Sequence, residues 1–202
     1  MEDILARYAL PYDSKEPMLC FDEKSKELHS DAHTKIEARE GRVRRRDYEY
    51  VRNGTANIFM TVEPKAGYRT FRVTARRTRD DFAHEIKRVT DLPRYKKARK
   101  IHIVLDNLNT HFEKSLIKAF SAKEAARIMR RIRFHHTPKH ASWLNMAEIE
   151  LSVMDRQCTK KRIGSAKNLS EELAAWRTRR NATKAQIRWK FTIKDAQKVF
   201  KY

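Results

Sequence analysis

The segment KIHIVLD, which ends at Asp106, constrains the fold of this chain more than any other stretch of the sequence. Ile101, Ile103 and Leu105 alternate as residues of a strand do, and Val104 makes the end of the segment apolar on its other face as well. A strand that is apolar on both faces is typical of the interior of a sheet that is covered by helices on both sides. The segment therefore predicts a central strand whose last residue is followed by a carboxylate.

Further strands are predicted upstream of this segment. MLCFD, which ends at Asp22, is a short apolar run, and residues 23–46 after it are polar and are expected to form an exposed loop. YEYVRNGTANIFMTVEP predicts two strands joined at Asn53-Gly54, because Asn-Gly is a strong hairpin signal between β-rich runs. YRTFRVTA, residues 68–75, alternates like a third strand, and residues 1–17 are expected to form a linker or a short helix.

Helical patterns dominate the rest of the chain. Three helices are predicted from capping signals: one after a capping box at Thr78 and Asp81, one from Asn168 onward with Glu171 in capping-box position, and one after a cap at Thr192. Three more are predicted from apolar spacing, around residues 113–120, around 122–130 and over 145–158. A strand is predicted at 132–137 between them. The resulting order predicts an α/β fold, a ribonuclease-H-like mixed five-stranded sheet flanked by helices.

The charge of the chain points to a polyanionic partner. It has 46 Lys and Arg against 26 Asp and Glu, a formal net charge of +20 and a pI near 10.2. Nucleic acid is the first candidate for the partner, ahead of a ribosome or a membrane surface. No apolar run is long enough to span a membrane and no signal-peptide core is present, so a cytoplasmic or nucleoid-associated location is expected. Cys20 and Cys158 have no metal-ligand spacing and are expected to be buried.

Two acids at strand ends could form a metal site. If the strands that end at Asp22 and Asp106 are neighbours, their carboxylates meet at one edge of the sheet, where ligand sites of α/β proteins gather. Close carboxylates favour a cation, and hard oxygen ligands favour Mg²⁺ or Mn²⁺. A third acid could come from the helix at 145–158, where Glu148 and Glu150 lie on opposite flanks of the apolar stripe, and the helical wheel alone does not choose between them. Each Asp by itself could equally be a turn or cap residue.

Four fragments in this order resemble the DDE transposases of the mariner superfamily, and in particular the bacterial insertion-sequence-630 family. The fragments are CFDEKSKEL, DYEYVRNGTANIFMTVEP, IHIVLDNLNTH and TPKHASWLNMAEIELS. The resemblance implies that Asp22, Asp106 and Glu148 hold two Mg²⁺ ions, for which Mn²⁺ can substitute, in DNA cleavage and strand transfer. It thereby selects Glu148 over Glu150, which is left as an expected solvated or ion-paired surface acid. Met146 stands where the family commonly has Pro.

The resemblance also sets expectations for domains and partners. It implies a catalytic domain over 18–202, without the helix-turn-helix region that precedes it in full-length members, and a homodimer assembled on double-stranded transposon ends and target DNA. Two other readings remain: another ribonuclease-H-like nuclease, and a decayed or domesticated DNA-binding derivative without activity.

Several other residues are candidates for supporting roles. Basic residues placed to contact DNA phosphates are Arg42, Arg44, Arg45, Arg46, Lys139 and His140. His111 is a candidate to support Asp106, to contact DNA or to pack structurally, and Asn145 is a candidate to cap the helix that bears Glu148.

Overall fold

The computed structural model describes residues 1–34, 38–43, 48–108 and 110–200. Its centre is a five-stranded sheet in the order β3-β2-β1-β4-β5. The strands are β1 (Met18–Asp31), β2 (Tyr50–Glu63), β3 (Tyr68–Thr74), β4 (Ile101–Leu105) and β5 (Ile132–His136). β1, β2 and β3 are antiparallel neighbours, whereas β4 runs parallel to both β1 and β5. The predicted mixed α/β sheet is confirmed.

Helices cover both faces of the sheet. They are α1 (Glu2–Ala9), α2 (Arg79–Thr90), α3 (Glu113–Ala119), α4 (Ala122–Arg131), α5 (Met146–Met154), α6 (Ala166–Ala182) and α7 (Ile193–Phe200). α2, α3 and α4 pack on the face that carries Ile101, Ile103 and Leu105, while α1, α5, α6 and α7 pack on the opposite face, which carries Val104 in its core. Every residue of β4 is buried, as its apolar pattern predicted.

β1 is much longer than its apolar segment. It continues to Asp31 and pairs with β2 from Cys20↔Val62 to Asp31↔Tyr50, so the expectation of a loop beginning at residue 23 is wrong. The outer part of this ribbon needs no apolar side chains, because ladder hydrogen bonds to β2 satisfy its backbone while its polar side chains face solvent.

Asn53-Gly54 forms a β-bulge inside the single strand β2. The expectation of a hairpin turn at this dipeptide is therefore wrong. The β1–β2 register shifts between Glu27 and His29, and Gly54 has φ +91°. Asn-Gly supplies the left-handed backbone that a bulge needs as readily as the one that a turn needs, so the dipeptide alone cannot separate the two. Asn53 Nδ2 donates to Ser30 Oγ at 3.1 Å and to the Gly164 carbonyl at 2.9 Å, which holds the bulge in place.

Most helix starts follow their capping signals. Thr78 and Asp81 form the predicted capping box of α2. Thr192 caps α7 by accepting a hydrogen bond from the Asp195 N–H at 3.2 Å. α6 begins at Ala166 rather than near Asn168, because Ser165 Oγ accepts from the Asn168 N–H at 3.1 Å and so forms the cap.

The N-terminal segment contains a helix that packs into the core. α1 buries Ile4, Leu5 and Tyr8 in a cluster that includes Cys20 of β1. Cys20 and Cys158 are both buried and free, as expected. None of the helices in the described ranges is long and apolar enough to cross a membrane.

Candidate active site

The parallel pairing of β1 and β4 brings Asp22 and Asp106 to the same edge of that pair. Asp106 follows β4 as expected, whereas Asp22 lies inside β1, because pairing with β2 carries β1 on to Asp31. Cys20 lies opposite Val104 in this register, so Asp22 and Asp106 stand two residues further along their respective strands. The expectation that these strands are neighbours is confirmed, and both aspartates lie just beyond the last residues that pair β1 with β4.

Asn145 fixes the start of α5 to the same edge. Its side-chain oxygen accepts from the Ala147 N–H at 3.1 Å and so caps α5, as predicted, while its Nδ2 donates to the Phe21 carbonyl at 2.8 Å. Tyr8 of α1 donates to the neighbouring Leu144 carbonyl at 2.6 Å. These bonds anchor the first turn of α5, which contains Glu148, beside the residue that precedes Asp22.

Asp22 is influenced by the charges of both other candidate acids. Burial raises the pKa of Asp22, the Glu23 N–H lowers it by donating to the carboxylate at 2.7 Å, and the charges of Asp106 and Glu148 raise it further, to about 7. In the metal-free protein, the carboxyl of Asp22 therefore loses its proton at a higher pH than an ordinary aspartate. A bound cation would relieve this cost by compensating the negative charges.

His111 is enclosed between two carboxylates. It is fully buried, its Nε2 lies 2.9 Å from Glu23 Oε1, and its Nδ1 forms an ion pair with Asp106. Burial alone would lower the pKa of His111, but the hydrogen bonds to Asp106 and Glu23 outweigh burial and raise the pKa to about 9. His111 is therefore an imidazolium at neutral pH, and it holds the Asp106 side chain at the end of β4. The structure thus places His111 beside Asp106 rather than on the outer surface.

Glu23 is a site neighbour that the sequence reasoning missed. Leu19 and Phe21 point to the apolar face that is covered by α2 and α3, and Glu23 occupies the next position of the same alternation with a side chain only 4% exposed. A carboxylate in a row of buried apolar positions requires a partner, and His111 provides it. This break in the alternation was the signal available in the sequence.

The donor set fits a divalent cation in chemistry, although it is not assembled as a metal cluster. Asp22, Asp106 and Glu148 offer the hard carboxylate oxygens that Mg²⁺ and Mn²⁺ prefer. Among the residues that the structure describes, no group of three or more His, Cys, Asp and Glu side chains is arranged to hold a metal ion. Side-chain movement would therefore have to accompany metal binding.

Glu150 is a buried structural acid, which corrects its assignment to the surface. Its side chain is fully buried, with Oε1 at 2.5 Å from Arg180 Nε and at 3.0 Å from Arg69 Nε, and Arg69 is itself fully buried. The two cations come from α6 and β3, so Glu150 joins three elements. The wheel placed Glu150 on a flank of α5 but had no means of showing that α6 and β3 cover that flank.

The candidate phosphate-contacting residues are divided between described and undescribed parts of the chain. Arg42, Lys139 and His140 are exposed. Arg44, Arg45 and Arg46 lie outside the described residues. Lys139 and His140 belong to the connection between β5 and α5, and this places them near the edge that carries the acids.

The chain belongs to the family of DDE superfamily endonucleases. The model of that family matches residues 17–170, which span all five strands and the three candidate acids. A comparison with the curated proteins finds no match.

The solved structures that resemble this chain include two of low sequence identity to it. The Mos1 mariner paired end complex with Mn is 12% identical with a TM-score of 0.57, and the match covers 91% of this chain and 56% of that one. The intasome of simian T-cell lymphotropic virus in complex with the PP2A regulatory subunit B56 gamma is 13% identical with a TM-score of 0.45, and the match covers 79% of this chain and 48% of that one. This chain thus spans about half the length of the chains it resembles. The likeness to Mos1 shows a shared fold.

Proposed function

We propose that this chain is the catalytic domain of a transposase of the mariner superfamily, of the insertion-sequence-630 type, which cleaves DNA at element ends and joins the released strand to target DNA. The observation that carries the proposal is that the β1–β4 register brings Asp22 and Asp106 to one edge, to which Asn145 anchors the first turn of α5 with Glu148. There the charges of Asp106 and Glu148 help to raise the pKa of Asp22 to about 7 in a chain whose formal net charge is +20. Acidic side chains that lie close to one another in so basic a chain indicate a cation site beside a phosphate-binding surface.

Asp22, Asp106 and Glu148 are proposed to hold two Mg²⁺ ions, for which Mn²⁺ can substitute. The metals would supply Lewis acidity toward the phosphodiester and would activate the attacking oxygen. Residues of the chain would position these metal ligands. The hydrogen bonds of Asn145 orient the first turn of α5, and the ion pair with His111 holds the Asp106 side chain in place. Lys139 and His140, which are exposed, are proposed to contact the phosphates of duplex DNA next to the acids.

We propose that residues 18–202 form the catalytic domain, that the active form is a homodimer on transposon ends, and that it works in the bacterial cytoplasm on nucleoid DNA. Mixing a tagged and an untagged chain on end-sequence duplexes and testing co-capture checks the dimer.

Replacing Asp106 tests the activity directly. Asp106→Asn is expected to abolish Mg²⁺-dependent cleavage of duplexes that carry the ends of the element, while duplex binding measured in EDTA stays unchanged. Glu171→Gln, at an exposed position of α6, is the matched control and is expected to cleave normally. Full cleavage by Asp106→Asn would refute the site.

A DNA-binding derivative without activity is the second candidate. It is favoured by the absence, within the described ranges, of three side chains arranged to hold a metal. Titration of the intact chain with Mn²⁺, followed by electron paramagnetic resonance, separates the two candidates. Binding that is lost in Asp22→Asn supports the enzyme, and no binding by the unaltered chain supports the derivative.

A further inference from the structure

A groove opens beside the acids, along the free edge of β5. Its volume is about 810 Å³, within the range of about 300–1,000 Å³ that is typical of ligand sites. It lies between β5 and the starts of α2 and α3, and it includes Phe112, Phe134 and His136 together with Arg79 and Lys114. None of these residues belongs to the proposed metal site.

His136 links the groove to the edge that carries the acids. His136 lies opposite Leu105, the residue before Asp106, in the β4–β5 register. Its Nε2–H donates to the His111 carbonyl at 2.7 Å, and Phe112 follows His111 directly in the chain. A DNA strand that left the acids on this side would reach the groove at the rings of His136 and Phe112.

One wall of the groove is aromatic. The rings of Phe112 and His136 are stacked, with centroids 4.8 Å apart and planes at 22°, and Phe134 meets His136 edge-on at 6.0 Å. All three side chains are half-buried, so ring surface stays open to the groove. Flat aromatic surface of this kind stacks with nucleic acid bases irrespective of sequence.

The groove is also strongly basic. Arg79, Lys100, Lys114 and Arg133 line it, and Glu113 is the single acid among its described lining residues. Arg79 and Lys114 are exposed at the starts of α2 and α3, where their charges can pair with the phosphates of a nucleic acid strand. A protein partner with an apolar segment would not need this excess of cations. A polyanion with flat bases matches both the aromatic wall and the basic lining residues.

We propose that this groove binds unpaired nucleotides of the DNA strand next to the cleavage site, with bases stacked on the Phe112–His136 wall and phosphates held by Arg79 and Lys114. The inference rests on the proposed function for the identity of the strand as DNA. It predicts that the chain prefers DNA with unpaired bases near the acids to fully paired DNA.

Binding of fluorescent oligothymidine to the full chain, measured by anisotropy in EDTA, tests the groove without any need for cleavage. Phe112→Leu keeps the apolar volume but removes the ring, and it is expected to weaken binding by about fivefold or more. Phe120→Leu is the matched control, since Phe120 is a half-buried aromatic residue at the end of α3 and does not line the groove. Lys114→Ala should weaken binding about threefold and lower the salt dependence, while Lys118→Ala, one turn further along α3, should change neither.

An abasic oligonucleotide of equal length and charge separates stacking from charge. The unaltered chain should prefer oligothymidine, Phe112→Leu should lose this preference, and Lys114→Ala should keep it. Equal binding of abasic and thymidine strands by the unaltered chain overturns the proposal, as does an acidic peptide that competes as well as oligothymidine. If cleavage proved absent but the preference remained, the proposed enzyme would be wrong and the groove would stand.

Discussion

At the scale of single residues, Glu148 and Glu150 show how two acids on one helix turn acquire different roles. Glu148 is half-exposed and its charge acts on Asp22, whereas Glu150 is buried between Arg69 and Arg180. Removing the charge of a buried ion pair leaves its partners uncompensated and commonly costs about 3–5 kcal/mol. Glu150 is therefore unsuitable as a neutral control for Glu148.

The two substitutions should separate stability from activity. Glu148→Gln is expected to abolish metal-dependent cleavage while it leaves the free energy of unfolding unchanged or slightly raised, because it removes one of the repelling charges. Glu150→Gln is expected to lower the free energy of unfolding by about 3 kcal/mol. Urea denaturation and a cleavage assay on both variants check this, and equal stability of the two variants would contradict the structural role of Glu150.

The stability of the metal-free protein should fall as pH rises. His111 has a folded-state pKa of about 9, so its stabilising contribution is complete below its ordinary value near 6.5 and is lost as pH rises through 9. Asp22, with its pKa raised from 3.8 to about 7, likewise favours the folded state only while it is protonated, and this contribution is lost as pH rises through 7.

Urea denaturation in EDTA between about pH 6 and about pH 9 measures this slope. Asp22→Asn should flatten the lower part of the curve and His111→Asn the upper part, and Mn²⁺ should restore stability at high pH because it compensates the carboxylates. A metal-free protein that gains stability over this range would show that other groups outweigh these two.

At the scale of elements, the turn between β2 and β3 and the start of β3 are hydrogen-bonded to the segment that follows α6, here called the C-terminal segment (residues 183–192). Arg69 Nη2 donates to the Ala185 carbonyl at 2.7 Å, and the Ile187 N–H donates to the Pro64 carbonyl at 3.1 Å. Gly67, at φ +63°, lies so close to this segment that a Cβ would stand 2.3 Å from the Lys184 carbonyl carbon. The turn and the segment therefore require a residue without a side chain at position 67.

Two glycine substitutions isolate this close approach. Gly54→Ala strains only the backbone, since no atom lies within 4 Å of the added Cβ, and it should cost about 1 kcal/mol. Gly67→Ala carries a similar backbone strain and also meets the Lys184 backbone, so it should cost clearly more. Urea denaturation compares the two variants, and equal losses would mean that the C-terminal segment moves aside freely.

At the scale of the whole molecule, the charge should govern non-specific DNA binding. With a formal net charge of +20, the affinity for duplexes of random sequence should fall by about 10³-fold between about 50 and 200 mM salt. Arg42→Ala and Lys139→Ala should each reduce the slope of log affinity against log salt by about one, if each neutralises one phosphate. Unchanged slopes in both variants would remove these residues from the phosphate-binding surface.

The sequence by itself determined the elements whose signals are local. The doubly apolar pattern of β4, the caps at Thr78 and Thr192, and the acid directly after β4 depend on neighbouring residues, and the structure bears each of them out in place. The expectation that a strand ends at Asp22 failed, because pairing with β2 extends β1 to Asp31. Membership of the DDE superfamily endonucleases was likewise recognisable from short fragments, since these fragments surround the β1–β4 edge and the start of α5.

Only the tertiary structure decided the features that depend on distant partners. Asn53-Gly54 became a bulge because β1 extends opposite it, and Glu150 became a core residue because β3 and α6 bring arginines over its flank. Glu23 joined the site because His111 lies across from it. In each case the local pattern allowed two environments, and the choice was made by the desolvation and pairing of polar groups that long-range contacts bring together.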